Sequence, residues 1–256
     1  MSTKCIINAD DFGKTNEINK AIIESKSIGL VTDTSIMATV SASFEDACKY
    51  LKEGYFDTIG AHLCITHGKP VCEEMAHNSL FCDSSGCFKK INSKLFGFFL
   101  RKKDRTVLLK EFDAQIKKIK DAGFAISHAD THQHIHYRFA ILKVVIQCCK
   151  DNDIPFLRLC CLEGKSFFKR IKAKWINHTI KRSGLHFVDG FFDFNTIEKA
   201  NSGIVEFMCH PCYNKKGVLI DKIKKLDIDE CDTLEKHTFY ARNQLKLISF
   251  EEIKTK

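Results

Sequence analysis

CIINADDFG, residues 5–13, decides how the rest of this chain is read. Cys5-Ile6-Ile7 is a short apolar run of the kind that makes a buried strand, and it leads straight into two adjacent carboxylates, Asp10 and Asp11. A helical period follows at once over Asn16–Ser27, with Ile18, Ala21 and Ile22 on one face and Gly29 as the stop. A strand that feeds a helix through a polar corner is the first half of a parallel α/β unit. Two like charges side by side need a cation or a shared proton. Successive side chains on a strand also point differently, so two roles are expected, one in metal binding and one in proton transfer.

Outward from this corner the pattern repeats. Thr34–Val40 reads as a second strand, and Ser43 opens a helix with Asp46 in capping-box-like spacing and Gly54 at its close. Asp57–His62 reads as a third strand. Residues 63–104 break the rhythm with Gly68, Pro70, CDSSGC and a Phe-rich patch at Phe96, Phe98 and Phe99. Such an insertion reads as a binding loop or lid, and the Phe patch as core or lid rather than a platform for sugar stacking. Helices are then expected over 106–123, 139–150, 165–182 and 233–245, and near Thr196. Strands are expected over 124–129, 156–159, 186–188, 204–208 and 246–249. The alternation argues a parallel α/β fold. Strand count and length favour a closed (β/α) TIM-like barrel of irregular outline, one domain over 1–256 with the irregular insertion at about 63–104. An open doubly wound sheet is the alternative.

At 256 residues and 44% apolar, the chain can bury a sizeable core. Thirteen Cys, an odd number, are scattered through apolar segments; no long apolar leader precedes them and no apolar run is long enough to span a membrane. A reducing, cytoplasmic setting with free thiols is expected, with no membrane partner. The net charge of +8 reads as solvated helix faces, because no nucleic-acid motif accompanies it.

In a barrel of this kind, functional groups gather at the C-terminal ends of the strands. Asp10 and Asp11 end the first, His62 the third and Asp130 the fourth; Arg158 lies on the fifth, and His210 follows the seventh. HADTHQHIH, residues 128–136, adds His132, His134 and His136. Imidazole and carboxylate together suit a divalent metal. CHPC at 209–212 ends a strand and has no partner pair of matching spacing, so neither a redox nor a zinc-knuckle reading is favoured. Cys82 and Cys87 make a still weaker zinc half-site.

INADDFG, GAHLCITHGKPV, HADTHQHIH and EFMCHP occur in this order and together resemble the YdjC-like carbohydrate deacetylases, over roughly residues 5 to 212. The type member removes an acetyl group from chitooligosaccharides. The resemblance implies a deformed barrel, often a homodimer, with one divalent metal ion, Mg by family expectation, although two imidazoles suit Zn. It implies Asp11, His62 and His132 as metal ligands, Asp10 as catalytic base and His210 as general acid. Arg158, Asp130 and His134 are then candidates for contact with an N-acetylated oligosaccharide substrate. Gln133 stands where many relatives have His, and Cys64 where relatives carry another residue beside the substrate. The residues fit the chemistry independently. Amide hydrolysis needs an activated water, a stabilised oxyanion and a proton for the leaving amine. A metal-dependent phosphoesterase and a non-catalytic sugar-binding homologue are the competing readings.

Overall fold

Cys5, Ile6 and Ile7 are wholly buried, and the strand they begin lies at the centre of the sheet. The computed structural model describes residues 3–90, 99–201, 203–222 and 226–253. Its first half runs β1 (Lys4–Phe12), α1 (Asn16–Ser27), β2 (Asp33–Ile36), α2 (Ser41–Lys52), β3 (Ile59–Leu63), α3 (Glu73–Ala76), α4 (Lys102–Asp121) and β4 (Ile126–Thr131). A 3-10 turn over His132–Tyr137 leads to α5 (Phe139–Asp151), β5 (Phe156–Leu157), α6 (Phe167–Lys181), β6 (Gly190–Phe192) and β7 (Ile204–Cys209). A small hairpin, β8 (Pro211–Tyr213) and β9 (Leu219–Asp221), precedes α7 (Leu234–Gln244) and β10 (Lys246–Leu247).

The main sheet is parallel, in the order β5-β4-β3-β2-β1-β7-β6, with β10 beside the start of β1. It curls. His186 makes a parallel bridge to Phe156 at one edge, and a few residues on β6 pairs with β7 at the other. One segment thus touches both edges, which makes the fold the deformed TIM-like barrel expected and excludes the open doubly wound sheet. The expected strand at 186–188 is displaced to Gly190–Phe192 for this reason: the first residues of the segment pair with one edge strand and the later ones with the other.

Most helix boundaries follow from local chemistry. Thr15 caps α1 by accepting the Ile18 N–H, and Gly29 takes the left-handed backbone after its last turn (φ 73°). The capping box expected at Ser43 does not form. α2 starts at Ser41 with no side-chain cap, and Asp46 instead accepts the amide of the buried Asn19. The antiparallel β8–β9 hairpin has no counterpart in the sequence reading, because each strand is only three residues long.

The insertion after β3 is tied to α4 by buried polar groups. The Glu111 carboxylate accepts the backbone N–H of Val71 and Cys72, and the Gln115 amide brackets Cys64. CDSSGC is a turn in which Asp83 accepts the N–H groups of Ser85 and Cys87. Phe96 and Phe98 lie outside the described residues; Phe99 is 89% exposed. All thirteen Cys are free, and all but Cys72 and Cys87 are buried. Among the described residues, no helix is long and apolar enough to cross a membrane.

Candidate active site

The polar corner quoted first is a strained one. The register of β1 against β2 shifts between Ala9 and Phe12, and Asp11 takes φ 75°, a left-handed backbone that costs most side chains but is tolerated by Asp. This bulge breaks the alternation of the strand, so Asp10 and Asp11 both line one cavity at the C-terminal end of the barrel. The cavity measures about 680 Å³, and His62, His132, His134 and His210 also line it.

The two carboxylates have separate partners. Both oxygens of Asp10 accept from Arg158, at 2.7 Å each, and Oδ1 accepts the Asn8 amide at 2.9 Å. Oδ2 of Asp11 pairs with the Lys14 ammonium at 2.7 Å. Oδ1 of Asp11 is buried, has no hydrogen-bond partner, and faces Nε2 of His62 at 3.3 Å and Nε2 of His132 at 3.6 Å. Three donor atoms from β1, β3 and the start of the 3-10 turn thus surround a point that none of them fills.

Each imidazole is aimed from behind. Nδ1 of His62 lies 2.6 Å from Asp130, which fixes the tautomer with Nε2 turned to Asp11. Nδ1 of His132 lies 2.6 Å from the Thr66 hydroxyl, the same device with a weaker acceptor. Burial alone would disfavour a proton on His62, yet the carboxylates of Asp130 and Asp11 outweigh it and raise the group well above 6.5. Asp11 is held well below the ordinary carboxylate value: burial opposes this, but the neighbouring His62 imidazole and the Lys14 ammonium prevail. His132 is pushed down to about 3, chiefly by burial, so its imidazole is neutral at pH 7. The site therefore favours a positive charge between Asp11 and His62, and beside it the neutral His132 turns Nε2 to the Lys14 ammonium at 3.4 Å. An oxygen donor and two nitrogen donors suit a divalent transition metal or Zn.

The donor atoms of Asp10, His62 and Asp130 also lie within 4.8 Å of one another and could hold an ion. Both carboxylates of that set are already engaged. Arg158, 2% exposed, gives its Nε to Glu206 at 2.6 Å and its terminal nitrogens to Asp10 and Asp130, with its plane 5.0 Å from the Phe191 ring. An ion there would have to displace the guanidinium, whereas Oδ1 of Asp11 has nothing to release.

The three His of THQHIH diverge. Left-handed backbone at Gln133 (φ 56°) and His134 (φ 51°) turns each ring a different way. His132 joins the cluster. His134 lines the cavity, stacked on Tyr137 at 4.9 Å, with Nδ1 buried and unpartnered. His136 bonds Thr131 and the Arg158 carbonyl, bracing the 3-10 turn against the chain after β5. His128 points away from the cavity, 3.1 Å from the Asn8 amide oxygen and stacked on Phe250. His210 lines the same cavity with its side chain 35% exposed, anchored through its backbone N–H to Asp221, which His237 holds in turn. Arg158 and Asp130 do not line the cavity.

Lys14, Thr66, Asp221 and Glu206 belong to this arrangement and were not singled out from the sequence. Thr66 and Glu206 lay within the quoted motifs GAHLCITHGKPV and EFMCHP, and Lys14 stood three residues after Asp11 on a tight corner.

A family model described as YdjC-like protein matches residues 4–244. A carbohydrate deacetylase of Clostridium beijerinckii is 28% identical, covering 98% of this chain and 100% of its own. A carbohydrate deacetylase of Listeria monocytogenes is 30% identical with the same coverage, 98% and 100%. A crystal structure from Enterococcus faecalis, described as a candidate cellobiose-phosphate cleavage protein, superposes with a TM-score of 0.70 at 20% identity over 98% of both chains, a likeness of fold.

Proposed function

Because this chain belongs to the YdjC-like family, we propose that it is a hydrolase that removes the acetyl group from an N-acetylated carbohydrate, with chitooligosaccharide-like N-acetylglucosamine as the substrate class. The observation that carries the reading is the buried, unpartnered Oδ1 of Asp11 between two imidazole Nε2 atoms, on the wall of a cavity that Asp10 and His210 also line. In this reading Asp11, His62 and His132 hold one divalent ion, Mg by family expectation or Zn by donor set. Such an ion supplies Lewis acidity to an acetyl carbonyl and lowers the pKa of a bound water.

The remaining steps fall to the chain's own groups. Asp10, held by the two-pronged guanidinium of Arg158, takes the proton of the attacking water at a carboxylate oxygen. His210, at the open side of the cavity, delivers a proton to the leaving amine. His134, on the cavity wall, is a candidate contact for the sugar. Arg158 and Asp130 are read as positioning residues rather than substrate contacts, since one aims Asp10 and the other aims His62. The phosphoesterase alternative needs further free carboxylates for more metal ions; Asp10 and Asp130 are both occupied by Arg158. A cytoplasmic setting, suited to thirteen free thiols, and a homodimer complete the reading.

The test is acetate release from N,N′-diacetylchitobiose by metal-stripped protein, with Mg, Mn, Zn or Co restored one at a time. Release should return with a metal and be absent in Asp10→Asn, which should still bind the ion, whereas Asp11→Asn should lose both. Equal metal loss in the two variants would sink the division of labour. Sugar binding without acetate release under every metal would instead favour the non-catalytic reading.

A further inference from the structure

We propose that α6 docks this protein onto the surface of an anionic lipid membrane. Residues 165–182 read KSFFKRIKAKWINHTIKR, with seven Lys and Arg and no Asp or Glu. The nearest acid before this stretch, Glu163, lies 4.0 Å from Arg170; the next after it is Asp189. α6 has two apolar faces. Ala173, Ile176 and Ile180 are buried against the core. Phe167, Phe168 and Ile171 are 72%, 81% and 51% exposed, and Trp175, its ring packed on Phe139 with centroids 4.1 Å apart, is 41% exposed at the edge of the same face. At about 100° per residue, these four fall within a stripe of about 100°, centred about 180° from the buried set. Lys172 and Lys174 flank the stripe on either side.

Single exposed apolar residues need no explanation, but two adjacent Phe in line with Ile and Trp make a patch. A basic helix with Phe and Trp on its outer face matches helices that lie in the plane of a membrane interface, where rings enter the acyl boundary and Lys meets the headgroups. An anionic surface adds attraction for every Lys or Arg held near it. Charge decides against a second copy of the chain as occupant, since it would set the same positive rim against itself. Residues 158–166 separate α6 from β5, and the Asn177 amide, well inside α6, brackets the backbone of Cys160 just past the C-terminal end of β5, so Phe167 and Phe168 lie toward the end of the barrel that carries the cavity. Docking would hold that end beside the interface. Surface docking differs from spanning, and the expectation of no membrane partner rested on the absence of a span. The inference stands apart from the deacetylase reading.

Trp175 is the only Trp in the chain, so its fluorescence reports on this face directly. The full chain is titrated with vesicles of phosphatidylcholine alone and of phosphatidylcholine mixed with phosphatidylglycerol, and co-sedimentation is measured alongside. A blue shift and co-sedimentation are expected with the mixed vesicles only, weakening with salt. The double variant Phe167→Ser/Phe168→Ser should bind about a hundredfold more weakly, because two rings are lost from the acyl boundary. Both positions are exposed, so its melting temperature should match the parent. Absence of a shift with mixed vesicles, equal binding to neutral ones, or binding indifferent to the double substitution would overturn the proposal. Self-association, or capture by an acidic polypeptide such as polyglutamate, abolished by the same variant without vesicle binding, would also overturn it and reassign the face.

Discussion

At Asp11 the backbone turns left-handed, and the side chain then does what a regular strand would forbid: it shares a cavity with the side chain before it. The neighbours sort the two carboxylates. Arg158 takes both oxygens of Asp10, while Lys14 takes one oxygen of Asp11 and leaves the other facing two imidazoles. The same logic runs one layer out. Asp130 fixes His62, so Asp130→Asn should weaken metal binding about 10- to 100-fold, measured by calorimetry, with the folded state retained. Arg158→Lys keeps the charge but loses the planar fork among three buried carboxylates. It should cost roughly 2–4 kcal/mol in urea unfolding and lower kcat far more than it raises KM. Unchanged metal affinity in the first variant, or unchanged kcat in the second, would remove that residue from the positioning layer.

Between elements, close approach is bought with glycine. A Cβ on Gly60 of β3 would sit 2.3 Å from Nε2 of His128 on β4, and that ring is pinned by Phe250 and Asn8. Gly60→Ala should therefore destabilise the protein by about 3 kcal/mol. In a double-mutant cycle, Gly60→Ala combined with His128→Ala should cost less than the sum of the two. Strict additivity would mean that the contact is not what makes Gly60 necessary. Helix ends follow a milder rule. The Thr233 hydroxyl accepts the Lys236 N–H at the start of α7, and Thr233→Ala should cost about 1 kcal/mol in thermal or urea unfolding.

For the molecule as a whole, buried histidines set the response to acid. His128, His134 and His136 are each pushed by burial down to about 3 from an ordinary 6.5. A depressed value means stability that is fully present above 6.5 and lost as pH falls toward 3. Asp33, raised by burial to about 6, and Glu206, raised by burial to about 7, work the other way: their contributions are present at low pH and lost as pH rises through those values. Four imidazoles, these three and His132, displaced further than the two carboxylates, decide the sign. The urea midpoint should fall steadily between pH 7 and pH 4. A midpoint that rises over that range would show that the carboxylates dominate.

Apart from α3 and the β8–β9 hairpin, the element order, the helix faces and the four motifs were legible in the chain alone, because periodicity, capping and motif spacing are local properties. So were Asp10, Asp11, His62, His132 and His210 as residues to watch, since strand ends deliver them to one rim whatever the details of packing. Tertiary contact decided the rest. The bulge that brings Asp10 and Asp11 to one cavity, the divergence of His132, His134 and His136, and the use of 186–192 to join both edges of the sheet rest on pairings between distant segments. Arg158 is the plainest case. Its sequence neighbours are apolar and announce only a buried strand, while its three carboxylate partners lie at positions 10, 130 and 206, and only the closed sheet brings them within reach of one guanidinium.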